Sequence, residues 1–368
     1  MKSIYIHIPF CVRKCAYCDF FSVPFSENME EAYVSALCKS IENTDEFTEK
    51  INTVYFGGGT PGILSEKSFD KIFSSLEKFN FDINAEITVE VNPGTSDFEK
   101  ISFLRKYFTR ISIGVQSFDD RELKLLGRVH NSQTAKNTVL DAYRAGFENI
   151  SLDLMYALPY QSGKIFEESV REAAELPISH ISAYELTIEE NTPFGKNREK
   201  LQKEISEDTD FDKILKDVLA EKNIYKYEVS NYAKAGYESR HNLNYWNNGE
   251  YLGFGAGAAG YINGERYKYI SDIEKYIESA GTLKEYTEKL DCKDKAFESL
   301  MLGLRMKKGF PIKRVTDFLD EEEKRIFFNI IDTQKKYVIL KNNILAPTDL
   351  GMKYLNTIIL KLYTWSEH

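Results

Sequence analysis

The sequence predicts an α/β fold: a partial barrel of six strand–helix units, then a loop-rich middle region and a C-terminal winged-helix-like domain. Three observations predict it. Six short apolar or alternating segments recur at 3–8, 53–57, 86–91, 110–116, 149–156 and 180–186. Amphipathic stretches of helical period separate them. Polar residues gather just past the end of each segment. Strand–helix alternation of this kind implies right-handed parallel crossovers, and six units make an open relative of the eight-unit barrel.

Taken in order, the first strand closes at Pro9 and runs into a loop carrying Cys11, Cys15 and Cys18. Helices are expected near 30–43, 66–79, 97–107, 132–145, 163–174 and 208–222. Gly57-Gly58-Gly59-Thr60 follows strand two and Glu90 ends strand three. Gln116 ends strand four, Asp153 lies in strand five and Thr187 follows strand six. In such folds chemistry collects at the C-terminal ends of the strands, so these residues are expected at one mouth.

A polar stretch at 189–203 interrupts the barrel, and regular alternation stops near Tyr232. The expected division is 1–232 for the barrel, 233–294 for the loop-rich region and 295–368 for the C-terminal domain. In that last part, helical patterns near 312–319 and 321–334 precede a strand at 337–340, an Asn342-Asn343 turn and a partner strand at 344–346. Thr348 or Asp349 caps a final helix. Arg305, Lys307, Lys308, Lys313 and Arg314 are read as a solvated charged face.

The bulk numbers bound the function. A chain of 368 residues exceeds one average domain, and nothing in it approaches the roughly 20 uninterrupted apolar residues of a membrane helix. The start, Met1-Lys2-Ser3, leads into a strand too short and too soon broken for a signal peptide, so a soluble, cytoplasmic protein is expected. A net charge of −9 sets the chain as a whole against nucleic acid and anionic membrane, so no nucleic acid partner is expected.

Five cysteines, three of them within eight residues, point to a metal rather than a disulfide framework. A cubane cluster takes thiolates from a compact loop, and three protein ligands leave one iron open for a small chelating molecule. Structural zinc would need a second Cys or His pair, which neither Cys38 nor Cys292 supplies. Cys38 falls on an apolar helical face and reads as an inert thiol. The spacing of three and then two intervening residues is the radical SAM signature, which implies a [4Fe-4S] cluster on Cys11, Cys15 and Cys18 with S-adenosyl-L-methionine on the open iron.

The run Tyr5-Ile6-His7-Ile8-Pro9-Phe10-Cys11, then Cys18-Asp19-Phe20, Gly57-Gly58-Gly59-Thr60-Pro61, Gly114-Val115-Gln116-Ser117 and Asp153-Leu154-Met155-Tyr156, resembles the oxygen-independent coproporphyrinogen III oxidase family over nearly the whole chain. Within it the chain is similar to the haem chaperone branch. The resemblance implies that Tyr5 and Tyr17 pack beside the cluster and S-adenosylmethionine. It places Gly58, Gly59 and Thr60 where backbone meets the methionine moiety. Glycines there allow close approach and turn N–H groups toward a carboxylate. Glu90, Gln116, Arg128, Asp153 and Thr187 match further positions around S-adenosylmethionine. His7, His130 and His180 read as packed histidines.

Two departures separate this chain from the oxidases of that family. Phe20 stands where they carry a fourth cysteine, and only four residues precede Tyr5 where they have a long extension. Coproporphyrinogen III oxidase activity is therefore not expected, although the radical SAM site is kept. His241-Asn242-Leu243-Asn244-Tyr245-Trp246 matches the His-Asn-any-any-Tyr-Trp motif of the chaperone branch, which makes His241 a candidate axial ligand of haem beside the alternative of a buried structural histidine. Ala259 occupies a place where the family often has histidine. The glycine run 255–260 also satisfies a dinucleotide pattern, but lacks the strand and helix that pattern needs.

The resulting expectation is a haem chaperone with a [4Fe-4S] cluster and an S-adenosylmethionine site. Its partners would be haem as cargo and haem-accepting proteins of the respiratory chain, with peripheral contact to membrane respiratory proteins compatible with that role. The rival is an enzyme acting on a porphyrin-like or other substrate through a 5′-deoxyadenosyl radical. A nucleic-acid-linked regulator using the winged helix is a third class, which the acidic balance disfavours.

Overall fold

The computed structural model describes residues 2–44 and 49–367. Six strands run parallel and neighbour one another in chain order: β1 (Lys2–Ile8), β2 (Ile51–Gly58), β3 (Phe81–Val91), β4 (Arg110–Gln116), β5 (Asn149–Tyr156) and β6 (His180–Glu185). Seven main helices lie among the crossovers and after β6: α1 (Glu27–Glu42), α2 (Glu66–Leu76), α3 (Phe98–Leu104), α4 (Asp120–Leu126), α5 (Ser132–Arg144), α6 (Gly163–Glu175) and α7 (Phe211–Ala220). Short polar side chains start most of them. Ser65, Asp97, Asn131, Ser162 and Asp210 each accept a first-turn N–H, satisfying donors that have no partner within the helix.

Each strand has one apolar and one polar face. Ile4, Ile6 and Ile8 of β1, Ile111, Ile113 and Val115 of β4, and Ile150, Leu152 and Leu154 of β5 are fully buried in the main core. The alternate residues face one another across the sheet's inner surface: Thr53 Oγ1 donates to Ser3 Oγ at 2.8 Å, and Ser151 Oγ meets His180 Nδ1 at 2.8 Å. Ser112 Oγ donates to Asp153 Oδ1 at 3.3 Å. Parallel strands buried on both faces normally read as continuous apolar runs. Here the period-two pattern survives because the inner face is a hydrogen-bonded polar wall.

The middle region differs from its expected loops. After the antiparallel β7 (Tyr225–Lys226) and β8 (Asn231–Ala233) and the helix α8 (Arg240–Trp246), β9 (Tyr251–Phe254) returns to pair parallel with β1. Strands β10 (Ala259–Ile262), β11 (Glu265–Tyr269) and β12 (Lys284–Lys289) continue outward as an antiparallel meander, with α9 (Ile273–Glu278) between the last two. All twelve strands form one sheet. The glycines that suggested loops serve close backbone packing: Gly253 abuts the Ala259 carbonyl, and Gly260 lies against the Tyr267 ring. The region also shares the barrel's core through Phe254, Tyr267 and Tyr276, so no break in the sheet follows Tyr232.

The C-terminal part has its own core, with Leu300, Phe327, Leu345 and Trp365 fully buried. It comprises α10 (Cys292–Gly303), β13 (Phe310–Pro311), α11 (Lys313–Thr316), α12 (Glu321–Thr333), β14 (Val338–Lys341), β15 (Ile344–Pro347), α13 (Asp349–Lys353) and α14 (Leu355–Tyr363). Asn342 and Asn343 both have positive φ, as a two-residue hairpin turn of mirror-image type requires. The three short strands form a small β13-β15-β14 sheet among these helices. Of the basic residues at its start, Lys307, Lys308 and Lys313 are exposed, whereas two pack on α8: the Arg305 guanidinium lies 5.6 Å from the centre of the Trp246 ring, and Arg314 donates to the Trp246 carbonyl at 3.2 Å. Among the described residues no helix is long and apolar enough to cross a membrane.

Candidate functional site

The cysteine loop is anchored at both ends. Phe10–Cys11 pairs with Val23–Pro24, Phe25 N donates to the Cys11 carbonyl at 3.0 Å, and Ala16 N reaches the Leu126 carbonyl at 3.0 Å. Cys11, Cys15 and Cys18 are all free and half-buried. They line one cavity of about 530 Å³ at the C-terminal ends of the strands, together with Tyr17, Gly58, Gly59, Thr60, Glu90, Gln116, Arg128 and Asp153.

Polar side chains connect two of the thiols. Arg128 Nη1 donates to Cys15 Sγ at 3.3 Å, and its Nη2 donates to the Gly114 carbonyl at 2.6 Å and to Asn92 Oδ1. Asn92 Nδ2 in turn donates to Thr60 Oγ1 at 2.7 Å, and Thr60 Oγ1 donates to Cys11 Sγ at 3.7 Å. Burial pushes the Cys11 and Cys18 thiols up, and Arg128 and Lys14 respectively pull against it. No three His, Cys, Asp or Glu side chains among the described residues converge on a single ion position. A cubane does not ask for that, since its thiolates bind different irons. Three free thiols on one anchored loop, two of them beside hydrogen-bond donors, fit such a group.

The glycine turn does something other than expected. Gly58 N donates to Glu90 Oε2 at 3.2 Å, Gly59 N to the Ile8 carbonyl at 2.8 Å and Thr60 N to the Phe10 carbonyl at 2.7 Å. These N–H groups are thus taken up by the protein and do not face a ligand carboxylate. Glycine is needed because a Cβ on Gly59 would lie 2.6 Å from the Phe10 carbonyl oxygen. One on Gly58, whose φ is +113°, would lie 2.6 Å from the His7 ring. The turn therefore seats β2 directly against the cysteine loop.

Tyr5 lies under this turn rather than in the cavity wall: its hydroxyl meets His7 Nδ1 at 3.0 Å, and His7 Nε2 meets the Phe21 carbonyl at 3.0 Å. Burial lowers His7 to about 4, so the ring is neutral. Tyr5 therefore donates to Nδ1 while Nε2–H donates to the carbonyl. Gln116 adopts φ of 71° just after a register slip between Gly114 and Gln116, a sparsely populated conformation for a non-glycine residue. Tyr55 donates to Glu90 Oε1 at 2.6 Å, and burial raises the Glu90 carboxyl to about 7 despite that bond. Asp153 is raised by burial too, against hydrogen bonds from Ser182 and Ser112 and the charges of Arg110 and Arg128.

Two candidate residues lie elsewhere. Thr187 is exposed and outside the cavity lining, because β6 ends at Glu185 and the chain has already crossed the rim; Tyr184 and Glu189 line the cavity instead. His241 is 1% exposed, at the opposite, N-terminal end of the strands. Its Nδ1 meets Thr53 Oγ1 at 2.8 Å and its Nε2 meets the Tyr245 hydroxyl at 2.8 Å. With both nitrogens engaged and the ring enclosed, it offers no lone pair to a haem iron in this arrangement, and its geometry is that of a buried structural histidine.

Sequence reasoning missed Asn92 and Arg110. Asn92 sits two residues past Glu90, a position that strand-end reasoning could have included. Arg110 is 2% exposed at the foot of β4, its Nε without a partner, and its charge acts on both Glu90 and Asp153. An arginine opening an apolar strand gives no sign in sequence of facing inward.

With this geometry in place, relatives can be compared. The radical SAM superfamily profile matches residues 5–173, from Tyr5 through most of α6. Haem chaperone HemW of Lactococcus lactis is 38% identical over 85% of this chain and 84% of its own length. The chain belongs to the HemW family. HemW of Bacillus subtilis is 37% identical over 86% of both chains, and that of Escherichia coli 36% over 84% of both. In fold, the HemW-family chain matches the Escherichia coli coproporphyrinogen III oxidase HemN, a radical SAM enzyme, with a TM-score of 0.83 over 99% of this chain and 90% of that one at 19% identity. Membership of the radical SAM superfamily implies a [4Fe-4S] cluster and S-adenosylmethionine. The matched segment includes the cysteine loop, the glycine turn, Glu90, Gln116, Arg128 and Asp153, and leaves out Thr187 and His241.

Proposed function

We propose that this protein is a cytoplasmic haem chaperone that binds haem and passes it to acceptor proteins, with Cys11, Cys15 and Cys18 holding a [4Fe-4S] cluster and the mouth of the barrel holding S-adenosylmethionine. The observation that carries the cofactor part is the single cavity uniting three free thiols with Glu90, Gln116, Arg128 and Asp153. The haem part is supported by relatives named haem chaperone HemW that cover most of the chain.

In this reading Glu90 and Asp153 accept from the hydroxyl and ammonium groups of S-adenosylmethionine, and Arg128 offers its planar fork beside the Cys15 thiolate. Tyr17 covers the cluster side of the cavity. The bound cluster with S-adenosylmethionine supplies one-electron chemistry. The chain's own part is to orient the ligands and to keep the thiols and carboxylates in a half-buried, low-dielectric mouth.

Anaerobic reconstitution, then haem titration and transfer to an apo-cytochrome, tests this. Haem bound in stoichiometric amount and released to the acceptor is the expected result. A second reading, an enzyme acting on a porphyrin-like substrate, is favoured by the complete cradle around the thiols. It would show as steady 5′-deoxyadenosine release with substrate turnover. Conversion of coproporphyrinogen III under these conditions would replace the chaperone reading outright.

A further inference from the structure

A second cavity of about 490 Å³ opens beside the mouth, between the cysteine loop and the end of α4. It shares Arg13, Lys14 and Arg128 with the mouth and adds Lys124, His130 and a single carboxylate, Asp120. Arg13 Nη2 donates to the carbonyls of Gly127 at 2.6 Å and Arg128 at 3.2 Å, which fixes the loop to α4. Among the described residues Arg13, Lys14, Lys124 and Arg128 form no ion pair with a carboxylate, in a chain whose overall charge is −9. The acids of the mouth, Asp19, Glu90, Asp153 and Glu189, are not part of this notch. Burial and the neighbouring Arg128 hold His130 at about 4, so it is neutral and adds no charge.

Apolar side chains stand exposed on the adjoining rim. Val12 is 57% exposed and Val129 51%. Val12, Arg13 and Val129 also line one shallow groove together, so the apolar rim and the cationic notch are contiguous. Three exposed cations, Arg13, Lys14 and Lys124, beside an apolar ledge suit one kind of small molecule: a flat apolar macrocycle with carboxylates on one edge.

We propose that this notch is the subsite for the haem propionates, with the macrocycle lying on Val12 and Val129 beside the S-adenosylmethionine cavity. The inference rests on the haem-binding reading above and names where that haem is held. It is independent of any axial ligand from His241.

The test uses full-length, cluster-reconstituted protein titrated with haem and, separately, with haem dimethyl ester, whose carboxylates are blocked. Lys124→Glu should weaken haem binding roughly three- to tenfold, as a solvent-screened charge allows. Asp120→Asn should tighten it, since Asn still offers an oxygen to Ser132 N, which Asp120 accepts at 2.8 Å. Raising salt should weaken haem binding but not ester binding, and neither substitution should move ester or S-adenosylmethionine affinity. Equal affinity of the wild type for haem and its ester, with both variants unchanged, places the propionates elsewhere and overturns the subsite while leaving haem binding intact. A wild type that takes up no haem at all removes both the subsite and the proposed function.

Discussion

The Arg128 guanidinium bridges Cys15 to the backbone of β4: one nitrogen meets the cysteine sulfur at 3.3 Å and the other the Gly114 carbonyl at 2.6 Å. A planar fork presents a separate nitrogen to each acceptor, whereas an ammonium must reach both from one. Arg128→Lys should therefore load iron but lose it to a chelator several-fold faster than the wild type, with weaker S-adenosylmethionine binding. Matching decay of the visible absorbance in the two proteins would show that the bridge is dispensable.

Replacement of Cys11, Cys15 or Cys18 by serine should abolish the cluster's visible absorption and the iron that accompanies it, roughly four irons per chain for a cubane. Cys38 is buried against α1's apolar face and Cys292 is exposed at the start of α10, so serine at either should leave iron content unchanged. Iron loss on changing either of these would reassign the ligands.

Glu90 titrates near 7 in the ligand-free protein, raised from 4.5 chiefly by burial, with Asp153 adding to the rise and Tyr55, Gly58 and Arg110 opposing it. Because S-adenosylmethionine presents donors, it should favour the ionised carboxylate. Its affinity should then rise as pH passes from 6 to 8, with proton release on binding. Glu90→Gln should bind more weakly and lose most of that dependence; a slope equal to the wild type's would place the titrating group elsewhere.

Glu228 is fully buried at the seam with the C-terminal domain, its Oε1 without a partner and its carboxyl raised by burial to about 7. A raised acid keeps its proton folded and loses it unfolded, so this group lowers stability as pH climbs from 4.5 through about 7. Glu228→Gln should be more stable than the wild type at pH 8, with the difference shrinking toward pH 5. Thermal melts across that range measure it, and a constant offset would count against a titrating Glu228.

His241→Ala should cost stability, because it leaves Thr53 and Tyr245 without their shared partner and opens a cavity. About 1–3 kcal/mol is typical for stranding a buried polar group. Denaturant melts of the apo-protein give that number. A haem Soret band that shifts in this variant while the melt does not would instead restore His241 as an axial ligand.

Much of the barrel was legible because its inner wall is polar. Ser3, Thr53, Thr88, Ser112 and Ser151 alternate with isoleucine, valine and leucine, so period-two strands stood out where an apolar barrel would have blurred them into runs. The Asn342-Asn343 hairpin was legible for a local reason too, since both residues tolerate positive φ. What sequence could not show depends on distant partners. Gly253 and Gly260 look like turn residues until the strands they allow to approach are known. Thr187 and Glu189 stand two residues apart, and only the path of the chain past the rim decides which one reaches the cavity. His241 carries a motif that suggests a ligand, yet its use is set by Thr53, far away in sequence.

The pairing of β1 with β9 sets an order of events during synthesis. Ser3 lies beside Tyr251, and the Gly255 backbone packs on the His7 carbonyl and the Tyr33 hydroxyl. The cysteine loop leaves the ribosome well before β9, so the strand that supports it lacks one neighbour until some 240 further residues have followed. At 5–20 residues per second that wait is on the order of ten seconds or more. During it the three thiols are tethered to an unfinished edge. Metal loading is thus expected to follow barrel closure rather than guide it, and a nascent chain truncated before β9 should expose its cysteines to alkylation that the full chain resists.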